Sequence, residues 1–287
     1  MRREYQSVSE LLREANSLVA TSTSPHLDCQ LILAYCLGKT REWLIRNSDE
    51  TICTNKTHHF KELISRRQKG EPVAYILGYK EFWDSTLSVT RDTLIPRPET
   101  ELLVETILDT FDDAPRLVVD LGAGAGAIAI SLALARPSWH LLGVDINPQA
   151  LIVASKNGAG ITNLHWLQGN WGSAFIENSI DLLVCNPPYI SENDPYLDGL
   201  AFEPQSALVS SDNGLADIYA VIFEAQQLLK PGGHLLLEHG HEQQPQVCKR
   251  LKACKFDPTP LLDLQGNPRA VLAKKRTKQT IAGSTDE

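Results

Sequence analysis

The chain has no Cys-x-x-Cys pair: its six cysteines, Cys29, Cys36, Cys53, Cys185, Cys248 and Cys254, are scattered through 287 residues. That scatter speaks against a disulfide framework or a zinc site and predicts reduced thiols in a cytosolic setting. His58 and His59 are adjacent, point in different directions on any helix and lack companion ligands, so no metal site is expected. No apolar run reaches the ~18 residues of a membrane-spanning helix. Arg2 and Arg3 are interleaved with Glu4, Glu10 and Glu14, unlike a signal or transit peptide. A cytoplasmic chain with no membrane association is the expectation. Positive charge is also short, with 27 Lys and Arg against 35 Asp and Glu, a net −8. Such a balance argues against affinity built on nucleic-acid phosphates, so no direct nucleic-acid binding is expected. Residues 1–75 hold 11 of the basic and 9 of the acidic residues, leaving the rest at −10. An asymmetry this small reads chiefly as solvated surface, though it would allow an oriented encounter with a partner. Internal repeats and low-complexity tracts are absent.

What is present is enough for a sizeable core: 43% apolar and 22% charged residues. The length fits two domains. Residues 1–74 read as a helical bundle. Ser7 and Ser9 are candidate caps before Leu11, Leu12, Ala15, Leu18 and Val19, and Leu27, Leu31, Ile32, Ala34 and Tyr35 continue at helical spacing. A further helix, His58 to Lys69, ends at Gly70. From Val73 the pattern turns to short β-like pieces, Tyr75–Tyr79 and Phe82–Val89 about a turn at Asp84 and Ser85, predicting a linker hairpin within 75–92. A helix over about 99–111 follows Pro96 and Pro98, and residues 93–277 form the second domain. There the alternation is strict: strand Leu117–Leu121, helix Ala127–Ala135, strand His140–Val144, helix Pro148–Asn157, strands Asn163–Leu167 and Ile180–Cys185, helix Ala216–Leu229, strand His234–Glu238, helix Gln244–Ala253 and strand Ala270–Ala273. Such alternation predicts an α/β fold, a parallel sheet covered on both faces, with ligands beyond the carboxyl ends of its strands. Residues 278–287 read as a polar tail.

The segment Asp120-Leu121-Gly122-Ala123-Gly124-Ala125-Gly126 follows an apolar strand and opens a helix. Its glycines let backbone approach a ligand closely at a helix N-terminus, which points to a nucleotide-type cofactor. Asp145 ends the second strand, 23 positions beyond Gly122. A carboxylate there can accept two ribose hydroxyls, and it can also cap the helix ahead of Pro148. These features suit either a nicotinamide dinucleotide or S-adenosylmethionine, and the spacing G-x-G-x-G leans toward the methyl donor.

The strand Ile180–Cys185 ends in Asn186-Pro187-Pro188-Tyr189. A planar nitrogen, amide or exocyclic amine, is a poor nucleophile because its lone pair is delocalised. Two acceptors aimed at its two N–H groups would orient it and support the positive charge that develops on it. The Asn186 side-chain oxygen and the Pro187 carbonyl make such a pair. Pro187 and Pro188 stiffen the backbone, and Tyr189 can stack on the flat group. Asn186, Pro187 and Tyr189 are therefore the candidate catalytic residues, with Pro188 beside them in the substrate site.

Over nearly its full length the chain resembles the release factor glutamine methyltransferases. The matching segments are Ile95-Pro96-Arg97-Pro98-Glu99-Thr100-Glu101, Asp120 to Gly126, Asn186 to Tyr189, Phe202-Glu203-Pro204, Leu236-Leu237-Glu238-His239-Gly240, and Asp263-Leu264 with Gly266 and Arg269. The resemblance implies a seven-stranded, Rossmann-like class I S-adenosylmethionine-dependent methyltransferase domain behind a helical substrate-recognition domain and a hairpin. It implies a monomeric enzyme acting on the Gly-Gly-Gln glutamine of class-1 peptide chain release factors. Gly122, Ala123, Gly124, Ala125, Gly126 and Asp145 would hold the cofactor, with Asn186 near the methyl donor. Where the family commonly has Asp after the third strand, this chain has Asn170, followed by Trp171, the expected adenine neighbour. Pro98-Glu99 reads equally as a helix start or a substrate-facing segment, and Phe202-Glu203-Pro204 as a lid or a surface loop.

Two rival readings are an adenine-N6 nucleic-acid methyltransferase, which shares Asn-Pro-Pro-Tyr, and a non-catalytic adaptor of the translation machinery. The first needs a basic groove and a target-recognition domain that an acidic chain with a short front domain does not offer. A nicotinamide oxidoreductase leaves Asn186 to Tyr189 unexplained. S-adenosylmethionine is expected to raise the melting temperature and NAD to leave it unchanged, since a ligand that binds only the native state stabilises it; the reverse pattern in a thermal-shift assay would reassign the glycine loop.

Overall fold

The computed structural model describes residues 5–277, which divide into two compact units, one ending at Tyr79 and one beginning at Lys80. The predicted tail 278–287 lies outside the described residues.

The first unit is helical. Ser7, rather than Ser9, caps Val8–Leu12: its Oγ accepts the Glu10 N–H while Glu10 accepts the Ser7 N–H, a reciprocal capping box. A 3₁₀ segment, Arg13–Leu18, and helices Pro25–Leu37, Arg41–Arg46 and Thr54–Gln68 follow. The last of these starts four residues before the predicted His58 and carries Phe60, Leu63 and Ile64 into a core with Leu11, Leu18, Ile32 and Leu33. Asp28 is buried in this unit. It accepts from Arg67 Nε at 2.7 Å and from the hydroxyls of Ser22 and Ser24, so its charge is matched on all sides.

One expectation fails here. Tyr75–Leu77 is not a strand but the body of a helix, Val73–Leu77, stopped by Gly78 in a left-handed conformation at φ 81°. Tyr75, Ile76 and Leu77 are all buried, and consecutive apolar residues fit one enclosed helical turn as well as a short strand. The hairpin is shorter than predicted, Tyr79–Phe82 paired with Ser85–Ser88, and it turns at Trp83 and Asp84, one position early.

The second unit is a seven-stranded sheet: β1 (Leu117–Leu121), β2 (His140–Asp145), β3 (Leu164–Gln168), β4 (Ile180–Cys185), β5 (Leu229–Glu238), β6 (Phe256–Leu262) and β7 (Pro268–Lys275), in the order β6-β7-β5-β4-β1-β2-β3. β1 to β5 are parallel, and β7 runs antiparallel to both its neighbours. The expected parallel sheet is present in β1 to β5, and the antiparallel pairing is confined to one edge. The missed strand is β6, whose Pro258 and Pro260 speak against a strand. On an edge alternate N–H groups face away from the sheet, and two prolines two residues apart can both take the open side. One face packs against helices Ala216–Leu228 and Gln244–Ala253, the other against Glu101–Thr110 and Ala127–Ala135. Among the described residues no helix is long and apolar enough to cross a membrane.

Trp166 on β3 lies across Gly143 on β2 and beneath Gly126. A Cβ on Gly143 would meet the indole at 2.2 Å, and one on Gly126 would meet it at 2.6 Å. Both glycines therefore leave room for the ring that supports the loop after β1. Gly143→Ala is expected to destabilise the second unit by about 1–3 kcal/mol, the usual range for overpacking, read from its denaturation midpoint. Adding Trp166→Leu should recover part of the loss. A single variant as stable as the parent would refute this packing argument.

Candidate active site

Order reverses between β1 and β4: the chain builds outward from β1 to β3, then crosses back to place β4 on the other side of β1. The loops after these two strands therefore part, and a cleft opens at their carboxyl ends. Gly122, Gly124 and Gly126 have φ of 77°, 54° and 86°, a region that only glycine occupies without strain. The N–H groups of Gly122 and Ala123 both donate to the Val144 carbonyl, at 2.8 and 2.9 Å, tying the loop to β2. Asn157 braces it from the other side, donating to the Ala125 carbonyl at 2.9 Å and to Ser88 of the hairpin at 3.0 Å.

A cavity of about 290 Å³ is lined by Gly122, Gly124, Asp145, Asn170, Trp171, Asn186 and Pro188. Ala123, Ala125 and Gly126 do not line it; the two alanines are buried beneath the loop. Asp145 accepts from Gly124 N–H and Asn147 N–H, each at 2.8 Å, one per carboxylate oxygen. Each oxygen keeps a further lone pair for a ligand hydroxyl. The cap of helix Pro148–Asn157 is Asn147, whose Oδ1 accepts from Gln149, so the capping role read for Asp145 belongs to its neighbour. Trp171 holds φ 47°, and its ring comes within 3.5 Å of where a Gly122 Cβ would stand. A side chain at Gly122 would thus enter the cavity. A bare backbone wall, a carboxylate with spare lone pairs and an aromatic face together fit a nucleoside such as that of S-adenosylmethionine.

A second cavity, of about 640 Å³, is lined by Glu99, Asn186, Pro187, Tyr189, Glu238 and Arg269 among others. Of the Asn-Pro-Pro-Tyr residues only Asn186 borders both cavities; Pro188 lines the first, and Pro187 and Tyr189 the second. Among the described residues neither Asn186 Oδ1 nor the Pro187 carbonyl accepts a hydrogen bond. Tyr189 is held by its hydroxyl, which donates to Glu238 Oε1 at 3.0 Å, and by its carbonyl, which accepts from Gln243 at 3.1 Å. Burial drives the Tyr189 hydroxyl well above the usual phenol range, so it stays a donor.

Several residues here were named from the sequence only as parts of matching segments, and none was given a catalytic or binding role. Glu203 is buried and accepts from Ile95 N–H at 3.0 Å and from Arg97, which pins the excursion after β4 to the segment before helix Glu101–Thr110. Of the two readings of Phe202-Glu203-Pro204, the burial of Glu203 and the place of Pro204 in the lining of the first cavity speak against a plain surface loop. Pro98–Thr100 forms a 3₁₀ turn with Pro98 at its start, as the helix-start reading of Pro98-Glu99 expects, and Glu99 also lines the second cavity. Thr100 and Glu238 reach Asn186 and Tyr189 by hydrogen bonds. Glu238 carried the same signal as Asp145, a carboxylate ending an apolar strand.

This sheet with its glycine loop and cofactor-shaped cavity defines a class I S-adenosylmethionine-dependent methyltransferase. A methyltransferase of Pyrococcus furiosus shares the fold, at 16% identity with a TM-score of 0.53, covering 73% of this chain and 98% of that one. A methyltransferase domain model matches residues 114–281, and a PrmC N-terminal domain model matches 10–78. The release factor glutamine methyltransferase of Shewanella oneidensis is 39% identical over 94% of this chain and 97% of its own length. That of Escherichia coli K12 is 41% identical over 84% and 87%, and that of Coxiella burnetii 38% over 91% and 96%. The chain belongs to the release factor glutamine methyltransferase family.

Asp120, at 2% exposure, lies beneath the glycine loop with Oδ2 accepting from Ala129 N–H and Oδ1 without a partner among the described residues. Burial, with a smaller contribution from the Asp145 charge, pushes its carboxyl up to about 7. A folded-state value above the unfolded one means that the native state holds the proton more tightly. Its stabilisation is complete below about pH 4 and is lost as pH rises through about 7. Asp120→Asn is therefore expected to flatten the fall in unfolding free energy across that window; an unchanged slope would show that Asp120 is already ionised.

Proposed function

We propose that this chain methylates the side-chain amide nitrogen, N5, of the glutamine in the Gly-Gly-Gln motif of class-1 peptide chain release factors, in the cytoplasm. The observation that carries the reading is the pair of uncommitted acceptors, Asn186 Oδ1 and the Pro187 carbonyl, where the two cavities meet. The relatives' shared name supplies the class of substrate.

S-adenosylmethionine supplies an electrophilic methyl group on a sulfonium. Gly122, Gly124, Asp145 and Trp171 would hold its nucleoside in the first cavity, with the carboxylate accepting ribose hydroxyls and the indole covering the base. Asn186 Oδ1 and the Pro187 carbonyl accept the two N–H groups of the incoming amide. An amide nitrogen has two protons and a delocalised lone pair, so two fixed acceptors turn that lone pair toward the donor and stabilise positive charge on nitrogen. Pro187 and Pro188 keep the backbone from relaxing, because neither φ can rotate. Tyr189, anchored at both ends, offers a flat apolar wall for the planar amide. No strong base is needed, since the methylated nitrogen is acidic enough to give up a proton to water.

Labelled methyl groups are expected to reach a purified class-1 release factor, but neither the same factor with the Gly-Gly-Gln glutamine replaced by alanine nor duplex DNA. Asn186→Ala should lower kcat by about 100-fold or more, as loss of a transition-state partner does, with cofactor affinity changed much less. Near-normal turnover in that variant would overturn the mechanism, and label on DNA would overturn the substrate.

A further inference from the structure

Asn186 can serve as an acceptor only if its amide is turned the right way. Both ends of the group are similar in shape, and a free asparagine would present NH₂ to the cavity as readily as oxygen. Three hydrogen bonds decide the matter. Asn186 Nδ2 donates to Thr100 Oγ1 at 3.0 Å. Thr100 Oγ1 in turn donates to Glu238 Oε2 at 2.8 Å, and the other oxygen of Glu238 takes the Tyr189 hydroxyl at 3.0 Å. Thr100 is 5% exposed and Glu238 1%.

We propose that Glu238, acting through Thr100, sets the orientation of the Asn186 amide so that its oxygen and not its nitrogen faces the substrate. The argument is a count of protons and rests on Asn186 being the acceptor for the amide. A hydroxyl has one proton. An ionised Glu238 has none to give, so Thr100 must donate to it and can offer only lone pairs to Asn186. The asparagine must then present NH₂ to Thr100, and Oδ1 is left for the cavity. If Glu238 is protonated on Oε2, the polarity of the chain reverses. Glu238 donates to Thr100, the Thr100 hydroxyl donates to Asn186, and the amide turns its NH₂ toward the substrate nitrogen, where it repels the N–H groups it should accept. The second oxygen of Glu238 holds Tyr189 by the same means, so one carboxylate orients both side chains that flank the amide. Thr100 and Glu238 are positioning residues; each acts through its neighbour.

The groups that face Glu238 give this switch an accessible pH range. Burial pushes its carboxyl up to about 7, with Glu99 from the 3₁₀ turn adding to the rise. The Thr100 and Tyr189 hydroxyls and the charge of Arg269 on β7 act against it. His239, next along the chain, is itself held low by burial, and its Nδ1 contacts the Gly240 carbonyl, so it adds no cation there. Transfer should therefore rise with pH through about 7 as Glu238 ionises.

The test has a part that needs no substrate. In isotope-labelled full-length protein the Asn186 side-chain NH₂ signals, assigned by their loss in Asn186→Asp, are expected to move with a midpoint near that of Glu238. They should cease to move in Thr100→Val and in Glu238→Gln. In steady-state assays Thr100→Val should lower kcat by about 10-fold to 100-fold, the loss expected from a misoriented partner, with KM for S-adenosylmethionine little changed and Thr100→Ser restoring turnover. Glu238→Gln can accept from only one of the two hydroxyls and should lower kcat and remove the inflection in the pH profile. The inference falls if the Asn186 signals ignore pH, or if Thr100→Val turns over within about twofold of the parent with its pH profile unmoved. Should the parent protein fail to label the release factor while the Asn186 signals titrate through Thr100, the functional reading falls and the orientation of the Asn186 amide by Glu238 stands.

Discussion

Parallel pairing of β1 to β5 is the constraint on which the rest of this molecule depends. Strands that run the same way end on the same rim, so every loop that follows one is delivered to one edge of the sheet. Gly122, Asp145, Asn186 and Glu238 each stand at or just beyond the carboxyl end of a different strand. They are separated by tens of residues in the chain, and the ladder alone brings them together. The reversal of strand order beside β1 then opens the rim where the two central loops part, and the first cavity lies in that gap.

The antiparallel edge has its own use. Because β7 runs against β5, Ala270 pairs with Glu238, and Arg269 is delivered beside the last residue of β5. A cation introduced at that place moderates the cost of burying Glu238 without neutralising it, since burial still dominates. The result is a buried carboxylate pushed up to about 7 rather than held in the usual carboxylate range. Asp120, under the glycine loop, has no such cation among the groups that shift it, and among the described residues its Oδ1 has no partner.

Much of the fold was legible because its periodicities are strong. Helices Ala127–Ala135, Pro148–Asn157 and Gln244–Ala253, and strands Leu117–Leu121 and Ile180–Cys185, follow the predicted bounds, since apolar runs between clear glycine and proline stops leave little choice. The failures have causes of the same kind. Tyr75–Tyr79 reads as a strand because three adjacent apolar residues carry no period, and only the enclosure of Tyr75–Leu77 in the first unit makes them part of a helix. Phe256–Leu262 was missed because Pro258 and Pro260 are tolerated only on an edge, and edge position is a property of the assembled sheet.

Sequence alone determined the chemistry on offer: a glycine loop after an apolar strand, a carboxylate after the next, and an asparagine and proline able to present two acceptors to a planar nitrogen. Those inferences rest on local geometry, which neighbouring residues dictate. Tertiary structure decided which residues touch those groups. Thr100 and Glu238 are 138 positions apart and Ile95 and Glu203 108, and no spacing rule connects them. Hydrogen-bond polarity is set by which groups end up within about 3 Å of one another, and in this chain only the closed sheet supplies that proximity.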